Sequence, residues 1–145
     1  TEHQAFADEQ FVKLQQAEVG DEKCYAGVVD RPGKLEFLNS LDVFTVPTSY
    51  REPKGRFALE AMACGLPVVL PDHGAFSELI TETGCGILVR PEDPVHLAES
   101  LHQLLDRPDE SRELGAAGRR AIEHDRNAES MAKATLDLYN RICGQ

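Results

Sequence analysis

Two glutamates with a glycine between them stand in the stretch YREPKGRFALEAMACGLPVV, which runs from residue 50 to residue 69. Glu52 comes directly before a Pro-Lys-Gly turn, and Pro53 biases the residue before it towards an extended backbone. We therefore expect the Glu52 carboxylate to project away from this loop. Glu60 falls about one turn inside a helix predicted to begin at Arg56, among alanine, leucine and methionine. A carboxylate with such neighbours is costly to bury unless hydrogen-bond donors reach it.

Gly55 lies where the loop leads into this helix, and glycine permits a close approach of the backbone. The first amides of the helix, near Arg56 and Phe57, lack intrahelical acceptors and carry partial positive charge. They form an anion site that suits a pyrophosphate. A ligand that carries hydroxyls as well as phosphates would use the whole stretch, because vicinal ribose hydroxyls can donate to Glu60 and a sugar hydroxyl can donate to Glu52.

A simpler interpretation of the same residues stays open. A single glutamate in a short helix usually lies on a solvated face, and Glu52 can merely neutralise Arg51 or Lys54. Most glycines that precede a helix are only turn residues. The stretch by itself therefore fits either a phosphate and hydroxyl site or an ordinary loop and helix.

The hydrophobic pattern along the chain predicts strands that alternate with helices. This order, with short loops, is typical of an α/β fold of three layers, a Rossmann-like domain whose parallel sheet is covered on both faces. Without a repeat or an internal linker, residues 1–145 are predicted to form one domain. The predicted strands cover residues 23–29, 42–47, 66–71 and 86–90, and the helices cover 2–18, a stretch after Asp30, 56–64, 75–82, a stretch from Pro94, 108–124 and a stretch from Asn127.

Several of these helices carry an apolar stripe that should face a core. In the last helix, packing against another domain fits the stripe as well as ordinary core packing does. Gly20 is expected to end the first helix, and Asp30 to cap the second. The stripes are Phe6, Phe11 and Leu14; Leu35, Leu38 and Leu41; Leu97, Ala98, Leu101, Leu104 and Leu105; and Met131, Ala134, Leu138 and Ile142.

The beginning of the chain departs from the usual doubly wound order. Such a sheet opens with a strand, and its first strand-to-helix turn carries phosphate-binding glycines. This sequence opens on a polar helix and contains no GxGxxG or Walker motif. Either the fold is a variant, or it is truncated at its N-terminal strand or strands.

Composition and charge exclude some classes of partner. The formal net charge of −10 argues against nucleic acid, because phosphate backbones need clustered lysine and arginine. No apolar run is long enough to span a bilayer and the start has no signal-peptide pattern, so we expect a cytoplasmic protein.

The four cysteines are scattered without a CxxC pair, which predicts free and mostly buried thiols, and no metal or other cofactor is expected. His73, before a helix start, either contacts a ligand or bonds a backbone group.

The stretch EPKGRFALEAMACGLPVV resembles the E-x7-E signature of retaining glycosyltransferases with the GT-B architecture, whose common form reads E-P-F-G-x-x-x-x-E-A-M-A-x-G-x-P-V-V. LDVFTVPT looks like the family's strand before that motif, and HGAFSELI like the loop and helix after it. GCGILV, followed by PEDP, resembles the next turn and helix start. The resemblance runs from about Gly27 to the last helix, and it implies the C-terminal, donor-binding domain of such an enzyme.

The resemblance also implies roles for single residues. Glu52, the catalytic candidate, would hold hydroxyls of the donor sugar, and Glu60 would hold the ribose of the nucleotide. The backbone around Lys54, Gly55 and Arg56 would approach the sugar and the diphosphate. Lys54 departs from the family pattern, since an aromatic residue is common there. It either adds a positive charge near the donor or is a solvated lysine.

The resemblance implies that this chain is part of a longer enzyme, called the parent protein below. That enzyme would transfer a sugar from a nucleotide-diphosphate sugar to an acceptor hydroxyl, with retention of the anomeric configuration and without a bound metal. The acceptor is unknown. Family enzymes bind it mainly on an N-terminal domain, which this chain lacks, and the arginine and lysine that grip the diphosphate come from the lost region. We therefore expect this chain alone to be inactive. Two alternatives are a GT-B-like nucleotide-sugar epimerase or phosphorylase, which use other site residues, and a non-catalytic nucleotide-binding module, which would bind without transfer.

Overall fold

The computed structural model describes residues 2–17 and 24–144, and the chain divides into two compact units, residues 1–37 and 38–145. The first unit contains α1 (Glu2–Gln16) and most of α2 (Arg31–Asn39). The helix predicted at the start is thus confirmed, and its predicted stripe agrees only in part, because Phe11 and Leu14 are half-buried. Phe6 is 65% exposed, whereas Ala7 is buried. Gly20, the expected end of this helix, lies outside the described residues.

The strand predicted at 23–29 is wrong for the part of it that the structure describes. Residues 24–30 are exposed and form no strand, and Val28 is 82% exposed. A strand is stable only when another strand pairs with it, and no ladder reaches this segment in the described parts of the chain. Lys23 lies outside them. Asp30 caps α2 as predicted, because its carboxylate accepts a hydrogen bond from the Gly33 amide at 2.9 Å.

The second unit is built on a parallel sheet with the strand order β1-β2-β3. The strands are β1 (Phe44–Thr45), β2 (Val68–Pro71) and β3 (Gly86–Val89). The strand predicted at 42–47 is therefore present but reduced to two residues. Five helices complete this unit: α3 (Arg56–Ala63), α4 (Ala75–Thr83), α5 (Pro94–Asp106), α6 (Pro108–His124) and α7 (Ala128–Cys143).

Helices cover β2 on both faces, as the apolar run of this strand predicts. Val68 and Leu70 pack on one face into a core with residues of α3 and α4, while Val69 packs on the other face with Leu104 of α5. All four residues of β2 are buried. The α/β, three-layer arrangement that the sequence predicts is confirmed in this unit.

The predicted stripes agree with the structure only in part. Leu38 is buried, but Leu41 lies beyond the end of α2 and Leu35 is exposed. In α5, the three leucines at positions 97, 101 and 104 pack in the core, whereas Ala98 and Leu105 are exposed. The stripe of α7 is exposed along its whole length, which excludes ordinary core packing within the described unit; its members Met131, Leu138 and Ile142 are 68%, 42% and 70% exposed.

Two further sequence expectations concern the surface. Cys85 is buried and Cys64 half-buried, but Cys24 and Cys143 are exposed, so the expectation of mostly buried thiols is wrong for two of the four. Those two lie in the exposed segment before α2 and at the end of α7. Within residues 2–17 and 24–144, no helix combines the length and the apolar character needed to cross a membrane.

Helix α6 lies very close to the turn that follows α3, and Gly115 makes this approach possible. A Cβ atom at residue 115 would stand 2.0 Å from the carbonyl oxygen of Gly65. That oxygen belongs to the backbone, so it cannot move without displacing the turn. The absence of a side chain at residue 115 therefore sets how closely α6 packs on α3.

We predict that Gly115→Ala lowers the free energy of unfolding by about 1–3 kcal/mol, because the added methyl group overpacks this contact. Helix propensity alone would give the opposite sign, with a gain of about 1 kcal/mol for alanine over glycine. Urea unfolding followed by circular dichroism measures the difference. Ala116→Gly, at an exposed neighbouring position, measures the propensity effect alone. A more stable Gly115→Ala variant would contradict the close approach.

Candidate functional site

The candidate site lies at the carboxyl edge of the sheet, where the loops after parallel strands come together. β1 leads into the loop 46–55, and β2 leads into the short loop 72–74. Open α/β sheets bind their ligands at this edge. The structure thus places the stretch that the sequence analysis singled out where the fold favours ligand binding.

Glu52 folds back onto its own loop instead of projecting away from it. Its Oε1 atom accepts hydrogen bonds from the amides of Lys54 at 3.1 Å and Gly55 at 3.0 Å. Its Oε2 atom accepts a longer bond from the Tyr50 hydroxyl at 3.3 Å. The expectation of a projecting carboxylate is therefore wrong, because two unpaired amides of the turn lie within reach of the side chain.

These contacts favour the ionised form of Glu52. The hydrogen bonds from the Gly55 and Lys54 amides hold the pKa of the Glu52 carboxyl below its ordinary value. A carboxylate offers about four acceptor positions. Two of them, both on Oε1, are used by the amides, and one on Oε2 is used by Tyr50. Glu52 is thus an oriented anion that can still accept a hydroxyl.

The segment after β2 supports the Glu52 loop from behind. The amide of Ala75 donates to the backbone carbonyl of Glu52 at 2.8 Å. Gly74 has φ 59° and ψ −142°, a conformation that is essentially restricted to glycine. A Cβ atom there would also stand 2.5 Å from the Glu52 carbonyl oxygen. The position of the Glu52 backbone therefore depends on glycine at residue 74.

Gly55 begins α3 in the left-handed conformation, with φ 62°. It packs on the ring of Phe76, which would stand 3.0 Å from an added Cβ atom. Among the hydrogen bonds of the described chain, none engages the amides of Arg56 and Phe57, as expected for the first residues of a helix. The side chains of Lys54 and Arg56 are exposed. The structure thus brings Glu52, Lys54, Gly55 and Arg56 together around one helix start.

Glu60 lies in the second turn of α3 and is half-buried. The buried face of this helix consists of Ala58, Ala61 and Met62, so Glu60 is beside the core face and not on the fully solvated one. Placement one turn into the helix agrees with the sequence prediction. Glu52 and Glu60 therefore lie on one continuous segment made of the turn and the helix.

Of the two side chains that organise this loop, the sequence indicated His73, with a bond to a backbone group as one of its two interpretations, but not Tyr50. The Nε2 atom of His73 lies 2.9 Å from the carbonyl oxygen of Thr48, so this histidine bonds a backbone group and does not face outwards as a ligand contact would. Tyr50 was not singled out at all, although it contacts Glu52. The only signal for this support in the sequence is the His-Gly pair after a predicted strand, and Thr48 is 25 residues away in the chain.

A cavity of about 280 Å³ opens at the same edge, on the side of the sheet that α5 covers. Its wall is largely apolar, with Pro47, Pro71, Val89 and Leu97. Asp93 stands at its rim and caps α5, because its Oδ1 atom accepts from the His96 amide at 2.8 Å. Neither Glu52 nor Glu60 lines this cavity. Among the described residues, no group of three His, Cys, Asp or Glu side chains is placed to hold a metal ion.

Known proteins resemble this chain in sequence and in fold. Alpha-maltose-1-phosphate synthase from Mycolicibacterium smegmatis is 34% identical over 113 residues, which are 74% of this chain and 29% of the relative. The structure of sucrose-phosphate synthase from Thermosynechococcus elongatus matches with a TM-score of 0.82 and 30% identity, over 97% of this chain and 35% of that one.

HepE from Anabaena, solved in complex with UDP, matches with the same TM-score of 0.82 over 95% of this chain and 37% of that one. Its sequence is only 19% identical, so this likeness concerns the fold alone. The chain spans between 29% and 37% of the length of these three proteins. Its fold is that of the C-terminal, Rossmann-like domain of GT-B enzymes. The family model described as glycosyl transferases group 1 matches residues 7–121, and the chain belongs to that family.

Proposed function

We propose that this chain is the donor-binding part of an enzyme that transfers a sugar from a nucleotide-diphosphate sugar to an acceptor hydroxyl, with retention of the anomeric configuration. The observation that carries the proposal is the Glu52 carboxylate. Two backbone amides orient it, and it stands beside the open start of α3 at the carboxyl edge of the sheet. Family membership supports the reaction class.

The two glutamates bind different parts of the donor in this proposal. Glu52 accepts hydrogen bonds from hydroxyls of the sugar, and Glu60 accepts them from the vicinal hydroxyls of the ribose. The diphosphate lies between them, over the amides of Arg56 and Phe57. The start of a helix carries about half a positive charge, which favours a diphosphate there. The exposed side chains of Lys54 and Arg56 add positive charge in the same place.

Stabilisation of the leaving diphosphate is the main task of this part of the protein. In the proposed reaction, the bond between the anomeric carbon and the diphosphate oxygen breaks while a bond to the acceptor oxygen forms on the same face. The acceptor's proton passes to the departing diphosphate. Negative charge grows on the diphosphate as it leaves, and preorganised amides stabilise such charge without reorganising.

The rest of the parent protein supplies what this chain does not show. Since the chain spans less than two fifths of its relatives, we propose that an N-terminal domain binds the acceptor and contributes further basic groups. The exposed apolar face of α7 supports contact with such a domain. Organisation of residues 1–145 as one partial domain, and a cytoplasmic location, remain predictions.

We predict that Glu60→Ala weakens the binding of free nucleotides and of nucleotide sugars alike, by about ten- to 150-fold, since one charge-assisted hydrogen bond contributes about 1.5–3 kcal/mol. Glu52→Ala should weaken only the binding of nucleotide sugars, because the proposed hydrogen-bond partner of Glu52 is the sugar. Ligand-observed NMR with UDP, GDP and ADP, and with their glucose conjugates, measures both effects and identifies the preferred base.

Glu99→Ala is the matched control, since it removes an exposed carboxylate from α5 and leaves the candidate site unchanged. Equal losses of free-nucleotide affinity in the Glu52 and Glu60 variants would contradict the division of roles. If this chain alone binds none of the ligands, the same titration is made on the parent protein. There we expect all the protein groups that bind the diphosphate to be present.

We also predict that Glu52 stabilises the fold in a pH-dependent way. Its pKa is lowered in the folded state, so its contribution is present above the ordinary glutamate value of 4.5 and is lost as the pH falls through the folded-state pKa. The difference in unfolding free energy between the wild type and Glu52→Gln should therefore shrink as the pH falls from the ordinary glutamate value of 4.5 through the lower folded-state pKa. Glu99→Gln corrects for the change in net charge. A difference that stays constant over this range would argue against the amide contacts.

A further inference from the structure

The loop that carries Glu52 is held at three places by residues of the segment 73–76. At its beginning, the carbonyl of Thr48 faces the Nε2 atom of His73 at 2.9 Å. In its middle, the Glu52 backbone rests on Gly74 and bonds the Ala75 amide. At its end, Gly55 packs on the ring of Phe76. Of these contacts, only the first is a hydrogen bond made by a side chain.

The surroundings of His73 give its ring one directed contact. Because a carbonyl oxygen only accepts hydrogen bonds, Nε2 must carry the proton. The Nδ1 atom is buried and has no hydrogen-bond partner among the residues that the structure describes. The ring also lies against Phe76, with 6.2 Å between the ring centroids. The bond to Thr48 therefore decides how His73 is oriented.

We propose that His73 is a positioning residue, whose Nε2–H bond to the Thr48 carbonyl fixes the loop so that the Lys54 and Gly55 amides meet the Glu52 carboxylate. Its consequence for sugar binding rests on the proposed function of Glu52. Its consequence for the loop does not, because the amide contacts exist without a ligand. Thr48 and Glu52 are four residues apart, so a shift at Thr48 is transmitted through a short piece of backbone.

Two variants separate the hydrogen bond from the packing of the ring. His73→Phe keeps an aromatic ring next to Phe76 and removes the donor. His73→Gln removes the ring but keeps an N–H group at a position similar to that of Nε2. Ile122→Val, a truncation beside the core in α6, shows what a general loss of stability does to the same measurements.

The first measurement is the pH titration of the backbone amide signals of Lys54 and Gly55 in this chain, by nitrogen–proton NMR. These signals report the ionisation of Glu52, since both amides bond its carboxylate. In His73→Phe the midpoint should rise towards the ordinary value of 4.5. In His73→Gln and Ile122→Val it should stay at the wild-type value.

An unchanged midpoint in His73→Phe would overturn the proposal, and so would a glutamine variant that behaves like the phenylalanine variant. A midpoint that also rises in Ile122→Val would show that His73 acts only through stability, which equally overturns it. Nitrogen spectra of the imidazole give an independent test. A wild-type ring that carries its proton on Nδ1 would contradict the bond to Thr48.

The second measurement compares the affinities of the parent protein for UDP and UDP-glucose. His73→Phe should lower the affinity for UDP-glucose by about three- to tenfold, which corresponds to the loss of one hydrogen bond, and should leave the affinity for UDP unchanged. If the amide titration shifts as expected but UDP-glucose affinity does not change, the positioning role stands and the sugar-binding role of Glu52 is wrong. An equal loss of affinity for UDP and for UDP-glucose would overturn the proposal that His73 acts on ligand binding specifically through Glu52.

Discussion

The backbone contact between residues 74–75 and Glu52 is the constraint on which the candidate site depends. One hydrogen bond joins the Ala75 amide to the Glu52 carbonyl, and Gly74 has no side chain to prevent the approach. The net value of such a bond is only about 0.5–1.5 kcal/mol. Sterics restrict the contact more severely, because any Cβ atom at residue 74 would overlap the Glu52 carbonyl. The loops after β1 and β2 are therefore positioned as a pair.

Electrostatics explains why a carboxylate can stand beside a proposed diphosphate in a chain of net charge −10. Two unit charges of the same sign about 6 Å apart repel by about 0.7 kcal/mol in water, and by more when partly desolvated. The amides of Lys54 and Gly55 offset part of this cost, because they already bond the Glu52 carboxylate. The same turn exposes the cationic side chains of Lys54 and Arg56. The turn therefore carries two exposed cations beside the Glu52 carboxylate, although the chain as a whole is acidic.

The sequence predicted the parts of the structure that depend on neighbouring residues. The starts of α3, α4 and α6 coincide with Gly55, Gly74 and Pro108, and the burial of β2 follows from its apolar run. The strand expected at 23–29 failed, because local preference for a strand has no effect without a partner strand.

In the candidate site, the sequence predicted the turn that follows Glu52 but not the direction of the carboxylate. Side-chain direction depends on amides whose positions are set by the folded turn, and Pro53 alone does not determine it. The contact between His73 and Thr48 could not be predicted from the sequence either, since those residues are far apart in the chain and meet only when β1 and β2 pair. The family resemblance supplied the ligand class, which the spacing of two glutamates alone did not determine.

The contacts that hold Glu52 come from the chain itself, and this has a consequence for binding energy. A loop that orders only when its ligand arrives subtracts the cost of ordering from the affinity, at about 1–2 kcal/mol for each backbone residue fixed. The turn from Thr48 to Gly55 is already fixed at both ends and in its middle. If Glu52 binds a donor sugar as proposed, their interaction contributes to affinity and to the stability of the transition state without that cost. The hydrogen bonds by which Glu52 caps its own turn orient the carboxylate, and the proposed role of Glu52 in catalysis depends on that orientation.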